Sequence, residues 1–214
     1  MFLDIFVEGG SDIPIIKEIL TRRFHLEEYL DFNVHPHKGK GVLPDPLFRT
    51  PDPKNRTLLH QLPAKIKGYA HSGRDVCLVV VVDADRDNCL DLKKNLLKIL
   101  SSMEHRPGCV LFRIAVEEIE SWLIADPMAV KRAYPSCKVS KLENIPPDAI
   151  VGAWETLADS IGKEPNFCSG ADKMDWAANI SPYLNLDEPR SPSLKIFIDG
   201  IDRVLSKEVG SLII

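Results

Sequence analysis

The stretch Cys77-Leu78-Val79-Val80-Val81-Val82-Asp83-Ala84-Asp85-Arg86-Asp87 is an unbroken apolar run that ends abruptly in carboxylates. An apolar run of this length, bounded by charge, predicts a strand buried on both faces at the centre of a parallel sheet. Ligands of open α/β sheets bind beyond the carboxyl ends of the strands, so we expect Asp83 and Asp85 at such a site. Strand alternation would point both side chains the same way, where two carboxylates repel each other unless a cation or a proton lies between them. A divalent metal is the simplest resolution.

Strand-like and helix-like segments alternate on both sides of this run. Residues 3–7 predict a first strand that ends at Glu8-Gly9-Gly10 and leads into a helix, and residues 109–115 predict a later strand that leads into another helix. This alternation predicts an α/β, Rossmann-like fold with a mostly parallel sheet of about four strands flanked by helices. We expect residues 1–134 to form this α/β domain and residues 135–214 to form a helical C-terminal extension packed on it, without a strand.

The composition bounds the class of protein. The chain has 214 residues, of which 44% are hydrophobic, enough for one substantial core. No segment has the length of a membrane span or the basic start of a secretion signal, so we expect a soluble, unprocessed, cytoplasmic protein. The five cysteines are scattered, odd in number and without a C-x-x-C pair, so neither a disulfide framework nor a zinc knuckle is predicted.

Positive charge is concentrated in one part of the chain. The net charge is −4, yet the basic segment, residues 33–74, carries eight Lys or Arg against two Asp. Such a segment is typical either of an ordinary solvated surface or of a phosphodiester-binding surface beside a carboxylate cluster. On the second interpretation, Lys38 and Lys40, which flank Gly39, are candidate contacts to a nucleic-acid backbone.

Acidic residues follow three of the predicted strands, and parallel strands bring those ends to one edge of the sheet. They are Glu8, Asp83 with Asp85, and the pair Glu117 and Glu120, which a helix would place on one face with Glu118 pointing elsewhere. Asp12 follows Glu8 by one helical turn, although a first-turn acid also favours the helix dipole on its own. An oxygen-rich set without clustered Cys or His selects Mg²⁺ or Mn²⁺, and it is large enough for two ions.

These motifs carry a family resemblance. Val7-Glu8-Gly9-Gly10-Ser11-Asp12 and Asp83-Ala84-Asp85 resemble the Toprim domain, closest to the overcoming-lysogenization-defect nucleases. With Glu117-x-x-Glu120-Ser121-Trp122, Asp172-Lys173 and Arg190-Ser191-Pro192-Ser193, nearly the whole chain resembles a bacterial family of uncharacterised Toprim-like proteins.

The resemblance implies roles for individual residues. It implies that Glu8, Asp83 and Asp85 are the core metal-binding acids, that Asp12 and Glu120 complete a two-metal arrangement, and that Lys173 stabilises charge on phosphate. It also implies that Glu8 handles protons. The implied catalytic set is therefore Glu8, Asp83, Asp85 and Lys173.

Three functions remain open on the sequence. The first is an Mg²⁺- or Mn²⁺-dependent nuclease acting on DNA or RNA in defence against phage or mobile DNA, with an ATPase partner and a homodimer both allowed. The second is a non-catalytic Toprim-like module that binds nucleic acid or a protein. The third is a primase-type nucleotidyl transferase. The chain has no Walker lysine after its Gly-Gly turn, no dehalogenase-type motif at Asp83-Ala84-Asp85 and no evident Ser-His-acid triad.

Overall fold

The strands and helices alternate through the first two thirds of the chain, after which helices predominate. The computed structural model describes residues 1–71 and 75–206, together with the backbone of residues 212–213. The strands are β1 (Phe2–Val7), β2 (Phe32–Pro36), β3 (Val76–Asp83), β4 (Cys109–Ala115) and β5 (Leu212–Ile213). The helices are α1 (Asp12–Phe24), α2 (Leu58–Tyr69), α3 (Cys89–Ser101), α4 (Glu120–Ile124), α5 (Pro127–Ala133), α6 (Ser140–Glu143), α7 (Ala153–Ser160), α8 (Gly170–Ile180) and α9 (Pro192–Leu205). Short 3₁₀ turns occupy Pro165–Phe167 and Ser181–Tyr183.

All strands belong to one parallel sheet, in the order β2-β1-β3-β4-β5. The expected α/β fold with a four-stranded parallel core and flanking helices is therefore confirmed. The expectation of no strand after residue 135 is wrong, because β5 pairs with Cys109 and Val110 of β4. A two-residue strand is too short to produce an alternating pattern in the sequence.

Helices cover both faces of the sheet, which explains why β3 is apolar without alternation. One face packs against α2 and α3 through a core that includes Val80, Val82 and Leu96. The other face packs against α1 and the helices after β4 through a core that includes Val79 and Trp122. This second core continues into α7, α8 and α9, so the C-terminal helices pack directly on the sheet. The boundary after residue 134 stays a prediction.

Cys77 of β3 and Cys109 of β4 are joined by a disulfide between neighbouring strands. Their Cα atoms are 4.6 Å apart, and the parallel register of β3 and β4 places the two residues side by side. The sequence predicted no disulfide framework, and this single bond corrects that expectation for one pair. The pairing was not visible from spacing, because it depends on the register of two strands that are 32 residues apart. Cys89, Cys137 and Cys168 are free thiols.

None of the helices in the described ranges has the length and apolar character needed to cross a bilayer. Arg74, the last residue of the basic segment, lies outside the described residues.

Close packing of α9 on β4 depends on Gly200. The buried side chain of Arg113 passes beneath this glycine, donating from Nε to the carbonyl of Ile196 at 3.0 Å and from Nη1 to the carbonyl of Phe112 at 2.8 Å. A Cβ atom on Gly200 would lie 1.9 Å from Nη2 of Arg113. The guanidinium cannot withdraw without losing buried hydrogen bonds.

We therefore expect Gly200→Ala to lower the free energy of unfolding by about 1–3 kcal/mol, the usual cost of overpacking a core. Gly68→Ala in α2 is the matched control, because a Cβ there meets nothing within 4 Å. It should be neutral or stabilising by up to about 1 kcal/mol. Urea denaturation of both variants checks this, and equal effects would contradict the proposed contact.

Candidate metal-binding acid cluster

The first acid of the site joins two strands at the carboxyl edge of the sheet. Glu8 follows β1, and its Oε1 accepts a hydrogen bond from the backbone N–H of Asp83 at 2.8 Å. Since β1 and β3 are parallel neighbours, the two strand ends meet here as the sequence predicted. Glu8 is thereby held against the end of the central strand.

Asp12 reaches the same place from the first turn of α1. Its side chain is only 5% exposed, with Oδ2 accepting from the backbone N–H of Gly9 at 3.0 Å and Oδ1 accepting from Oγ of Ser11 at 3.0 Å. The Gly-Gly turn therefore folds back onto the carboxylate. Gly10 also lies close to α8, where an added Cβ would come within 2.9 Å of the Met174 methyl group.

Asp83 is the centre of the acidic residues. Burial raises its pKa well above the usual value, and the charges of Glu8, Asp12, Glu120 and Asp85 raise it further. We call these five residues the acid cluster. The structure thus brings the other four acids that the sequence proposed as metal ligands near Asp83.

Ionisation of several members of the acid cluster is unfavourable, because they are buried close to other carboxylates. Burial raises the pKa of Glu8 to about 8, although the hydrogen bond from Asp83 acts in the opposite direction. Burial also raises the pKa of Asp12 to about 6, with the charge of Glu120 contributing. Without a cation, these carboxyl groups hold protons at pH values where exposed acids are ionised.

Asp85 differs from Asp83 in its surroundings. β3 ends at Asp83, and Asp85 has a left-handed φ of 49°, so the expectation that strand alternation would point both side chains the same way is wrong. Its side chain is 51% exposed and lies 3.0 Å from Nζ of Lys40, which also binds Asp87 at 2.6 Å. Asp85 still contributes charge to both Glu8 and Asp83.

Lys40 is turned inward towards these aspartates. Its side chain is 12% exposed, and Nζ also donates to the carbonyl of Ala84 at 3.0 Å. Burial alone would lower the pKa of Lys40, but the hydrogen bonds to Asp87 and Asp85 outweigh it and the pKa is raised. The ammonium of Lys40 is therefore bound to the loop after β3. The side chain of Lys38, by contrast, is exposed. Their role as nucleic-acid contacts stays a prediction.

Lys173 approaches the cluster from the C-terminal helices. It lies in the first turn of α8, with Nζ 3.5 Å from Oε1 of Glu120 and 3.9 Å from Oε1 of Glu118. The ammonium also sits 4.7 Å from the centre of the Trp154 ring. The structure thus places the ammonium of Lys173 beside the acid cluster, and its role on phosphate stays a prediction.

The segment after β4 differs from expectation. The helix begins at Glu120, not near residue 116, and Glu117 has a left-handed φ of 67°. The Glu117 carboxylate accepts from the backbone N–H groups of Gly152 and Ala153 at 2.6 and 3.2 Å, so it holds the start of α7. The expectation that Glu117 shares a helix face with Glu120 is therefore wrong.

Glu118, which was expected to point elsewhere, faces the site. It lies between Lys173 and the backbone N–H of Trp154, which donates to it at 3.3 Å. Burial raises its pKa to about 7, and the charge of Glu120 adds to the shift. No sequence pattern identified it, because its direction depends on the left-handed turn at Glu117.

Three other residues on which the resemblance rested make contacts that stabilise the fold. Asp172 caps α8 through a reciprocal pair of hydrogen bonds with Ser169. Ser191 caps α9 by accepting from the N–H of Leu194 at 3.1 Å. Ser193 accepts from Nε1 of Trp122 at 2.7 Å, which joins α9 to α4. These residues support the site without being part of it.

The donor set fits a hard cation by chemistry, whereas its present placement does not form a coordination site. In the part of the chain that the structure describes, no group of three or more His, Cys, Asp or Glu side chains is arranged to hold a metal ion. Three of the acids are already engaged, with Glu8 on the N–H of Asp83, Asp12 on Gly9 and Asp85 on Lys40. These contacts leave acceptor sites on the carboxylates free, so coordination requires the side chains to move closer together around an ion.

The raised pKa of Glu8 predicts a pH-dependent stability in EDTA. Between about pH 4.5 and about 8, the folded protein holds a proton that the unfolded chain releases. The free energy of unfolding should therefore fall as the pH rises through this window, by a few kcal/mol in order of magnitude. Urea denaturation across the pH range measures it, with Glu8→Gln expected to give a shallower slope. An unchanged slope in Glu8→Gln would contradict the assignment.

Asp83→Asn distinguishes the effect of repulsion between the carboxylates from the effect of metal binding. Removing the central charge relieves repulsion, so in EDTA at pH 8 this variant should be more stable than the wild type by about 1 kcal/mol or more. Mn²⁺ should raise the melting temperature of the wild type but not that of the variant. Asp91→Asn on exposed α3 is the control and should respond to Mn²⁺ like the wild type. Equal stabilisation of Asp83→Asn by Mn²⁺ would remove Asp83 from the metal site.

Comparison with known structures supports the fold. The C-terminal region of the Burkholderia pseudomallei OLD protein matches with a TM-score of 0.55 and 15% identity, over 95% of this chain and 98% of that one. The C-terminal region of the Xanthomonas campestris pv. campestris OLD protein matches with a TM-score of 0.53 and 13% identity, over 96% of both chains. At this identity the likeness concerns the fold alone. No curated protein matches the chain.

The model of one protein family covers residues 7–202, a range that includes every member of the acid cluster. The chain belongs to the family described as a domain of unknown function, DUF4276.

Proposed function

We propose that this protein is an Mg²⁺- or Mn²⁺-dependent nuclease that hydrolyses nucleic-acid phosphodiester bonds at the acid cluster. The observation that carries the proposal is the gathering of four further carboxylates around Asp83 at the carboxyl edge of the sheet, with Asp12 and Glu120 buried. Structural residues rarely gather so many acids in one place, because each adds to the cost of burying the others. The fold shared with the C-terminal region of OLD proteins supports a nuclease-like function.

Bound cations would supply an activated water and stabilise the departing oxygen, as in two-metal phosphodiester hydrolysis. Glu8, Asp83 and Asp85 would hold the ions, with Asp12 and Glu120 completing the set. Glu8 would also handle protons during hydrolysis, as the resemblance to Toprim nucleases implies. Lys173, beside Glu120, is placed to attract a phosphate oxygen as negative charge develops there.

The proposed biological role rests on the resemblance to overcoming-lysogenization-defect nucleases. The nuclease would act in the cytoplasm in defence against phage or mobile DNA, under the control of a partner ATPase. DNA and RNA are both substrates to test, and a homodimer stays a prediction.

A second function has one observation in its favour. The acids already hold protein partners, and the described side chains form no coordination site as placed. A non-catalytic module that binds nucleic acid or a protein would need no more than this arrangement. Metal-dependent cleavage distinguishes the two functions.

The decisive assay incubates purified protein with Mn²⁺ or Mg²⁺ and plasmid, linear, single-stranded or RNA substrates, with and without an ATPase partner. We expect metal-dependent cleavage that falls at least about 100-fold in Asp83→Asn and in Glu8→Gln, equivalent to about 2.7 kcal/mol of transition-state stabilisation. The exposed control Asp91→Asn should cleave normally. No cleavage of any substrate rejects the nuclease, and cleavage that survives both variants rejects the site.

Lys173→Gln tests whether the Lys173 ammonium stabilises the negative charge that develops on the substrate phosphate. We expect kcat to fall about 10–100-fold with a smaller change in KM, because the charge acts mainly in the transition state. Lys195→Gln is the control, since Lys195 is an exposed lysine of α9 that pairs only with Asp199 at 2.7 Å among the described residues. Normal kcat in Lys173→Gln would exclude this role.

A further inference from the structure

A basic pocket of about 440 Å³ opens beside the carboxyl end of β2, the strand next to β1. It is lined by Pro36, His37, Lys38, Pro53, Arg56, Gln61 and Lys65. None of these side chains is acidic, whereas three carry a fixed positive charge. We call this cavity the basic pocket.

The cations of the basic pocket lack carboxylate partners. Among the described residues, no Asp or Glu oxygen lies within 4 Å of the charged groups of Lys38, Arg56 or Lys65. Asp4 acts on Lys65 through space but is itself bound to His35 at 2.6 Å. The positive charge of the pocket is therefore available to an external anion.

The walls of the pocket are held in place by the fold. The backbone N–H of Lys38 donates to the carbonyl of Arg56 at 3.0 Å, which joins the two walls. Nε2 of Gln61 donates to the carbonyl of Asn55 at 2.5 Å, which fastens the loop before α2. Lys65 packs over the Phe6 ring at 4.7 Å from its centre. The cations are thus presented on a built surface and not on a free loop.

The basic pocket and the acid cluster share one segment of backbone. The N–H of His37 donates to the carbonyl of Val7 at 3.1 Å, and that of Gly39 donates to the carbonyl of Glu8 at 2.8 Å. Lys38 faces the pocket, while Lys40, two residues on, binds Asp85. Two residues span at most about 8 Å between Cα atoms, so the backbone that lines the pocket continues directly into the backbone that carries Lys40 to Asp85.

We propose that the basic pocket binds a backbone phosphate of the nucleic-acid strand, one or a few nucleotides from the phosphate that is cleaved. The identity of the ligand rests on the proposed nuclease function. Cations that contact phosphate fix the register of a strand without reading its sequence. The pocket therefore positions the strand across the acid cluster, and it uses three of the eight Lys and Arg residues of the basic segment.

The test measures binding without catalysis. A fluorescein-labelled single strand of about 20 nucleotides is titrated with the full chain in EDTA, between about 50 and 200 mM salt, as DNA and as RNA. The double variant Lys38→Gln/Arg56→Gln is compared with Lys93→Gln/Lys98→Gln on α3, which removes the same charge from exposed positions. We expect the first variant to bind about 10-fold or more weakly and its salt slope to fall by about 1.4, or 0.7 for each lost phosphate contact. The control should match the wild type.

Wild-type affinity and slope in Lys38→Gln/Arg56→Gln would overturn the proposal, as would equal losses in the control. Displacement of the strand by inorganic phosphate or a nucleoside monophosphate at a comparable concentration of phosphate groups would also overturn it, in favour of a small ligand. The cleavage assay separates this result from the proposed function. Weakened binding without cleavage by any form would reject the nuclease alone, whereas cleavage with wild-type KM in the double variant would reject the pocket alone.

Discussion

The mutual burial of carboxylates at the carboxyl edge of the sheet is the constraint on which the rest of the structure depends. The hydrogen bond from the N–H of Asp83 to Glu8 joins the ends of β1 and β3, so two acids are placed together by the pairing of the strands themselves. Burial disfavours the ionised form of both carboxyl groups, and it raises the pKa values of Glu8 and Asp83. A proton, a lysine or a metal ion must compensate for this cost. The fold supplies lysines at the margins, at Asp85 and at Glu120, and leaves Asp83 without one among the described ion pairs.

The C-terminal helices belong to the same arrangement. Glu117 holds the start of α7, and α8 brings Lys173 to Glu120. Trp122 of α4 is anchored by Ser193 of α9. The loop that follows β4 is consequently fixed by contacts with helices far along the chain, and the position of Glu120 depends on them. Ser191 and Ser193 therefore act on the site through the packing of α9, since Ser191 caps that helix and Ser193 binds Trp122.

Much of the fold and the candidate site could be predicted from the sequence. The apolar run of β3 predicted a central parallel strand, and strand ends that share an edge predicted that Glu8, Asp83 and Glu120 would meet. The remainder depends on contacts that no local pattern encodes. Glu118 turns inward because of the left-handed turn at Glu117, and Lys40 folds back onto Asp85 across 45 residues. The Cys77–Cys109 pair follows from strand register, and β5 is too short to show periodicity.

The measurement that tests the account most directly is a crystal structure of the protein soaked with Mn²⁺, with the ions located by their anomalous scattering. The account predicts one or two ions in direct contact with carboxylate oxygens of Asp83 and Glu8, with Asp85 released from Lys40 to join them. Ions bound elsewhere, or an acid cluster that stays empty at saturating Mn²⁺, would contradict the central claim that these buried acids exist to hold metal.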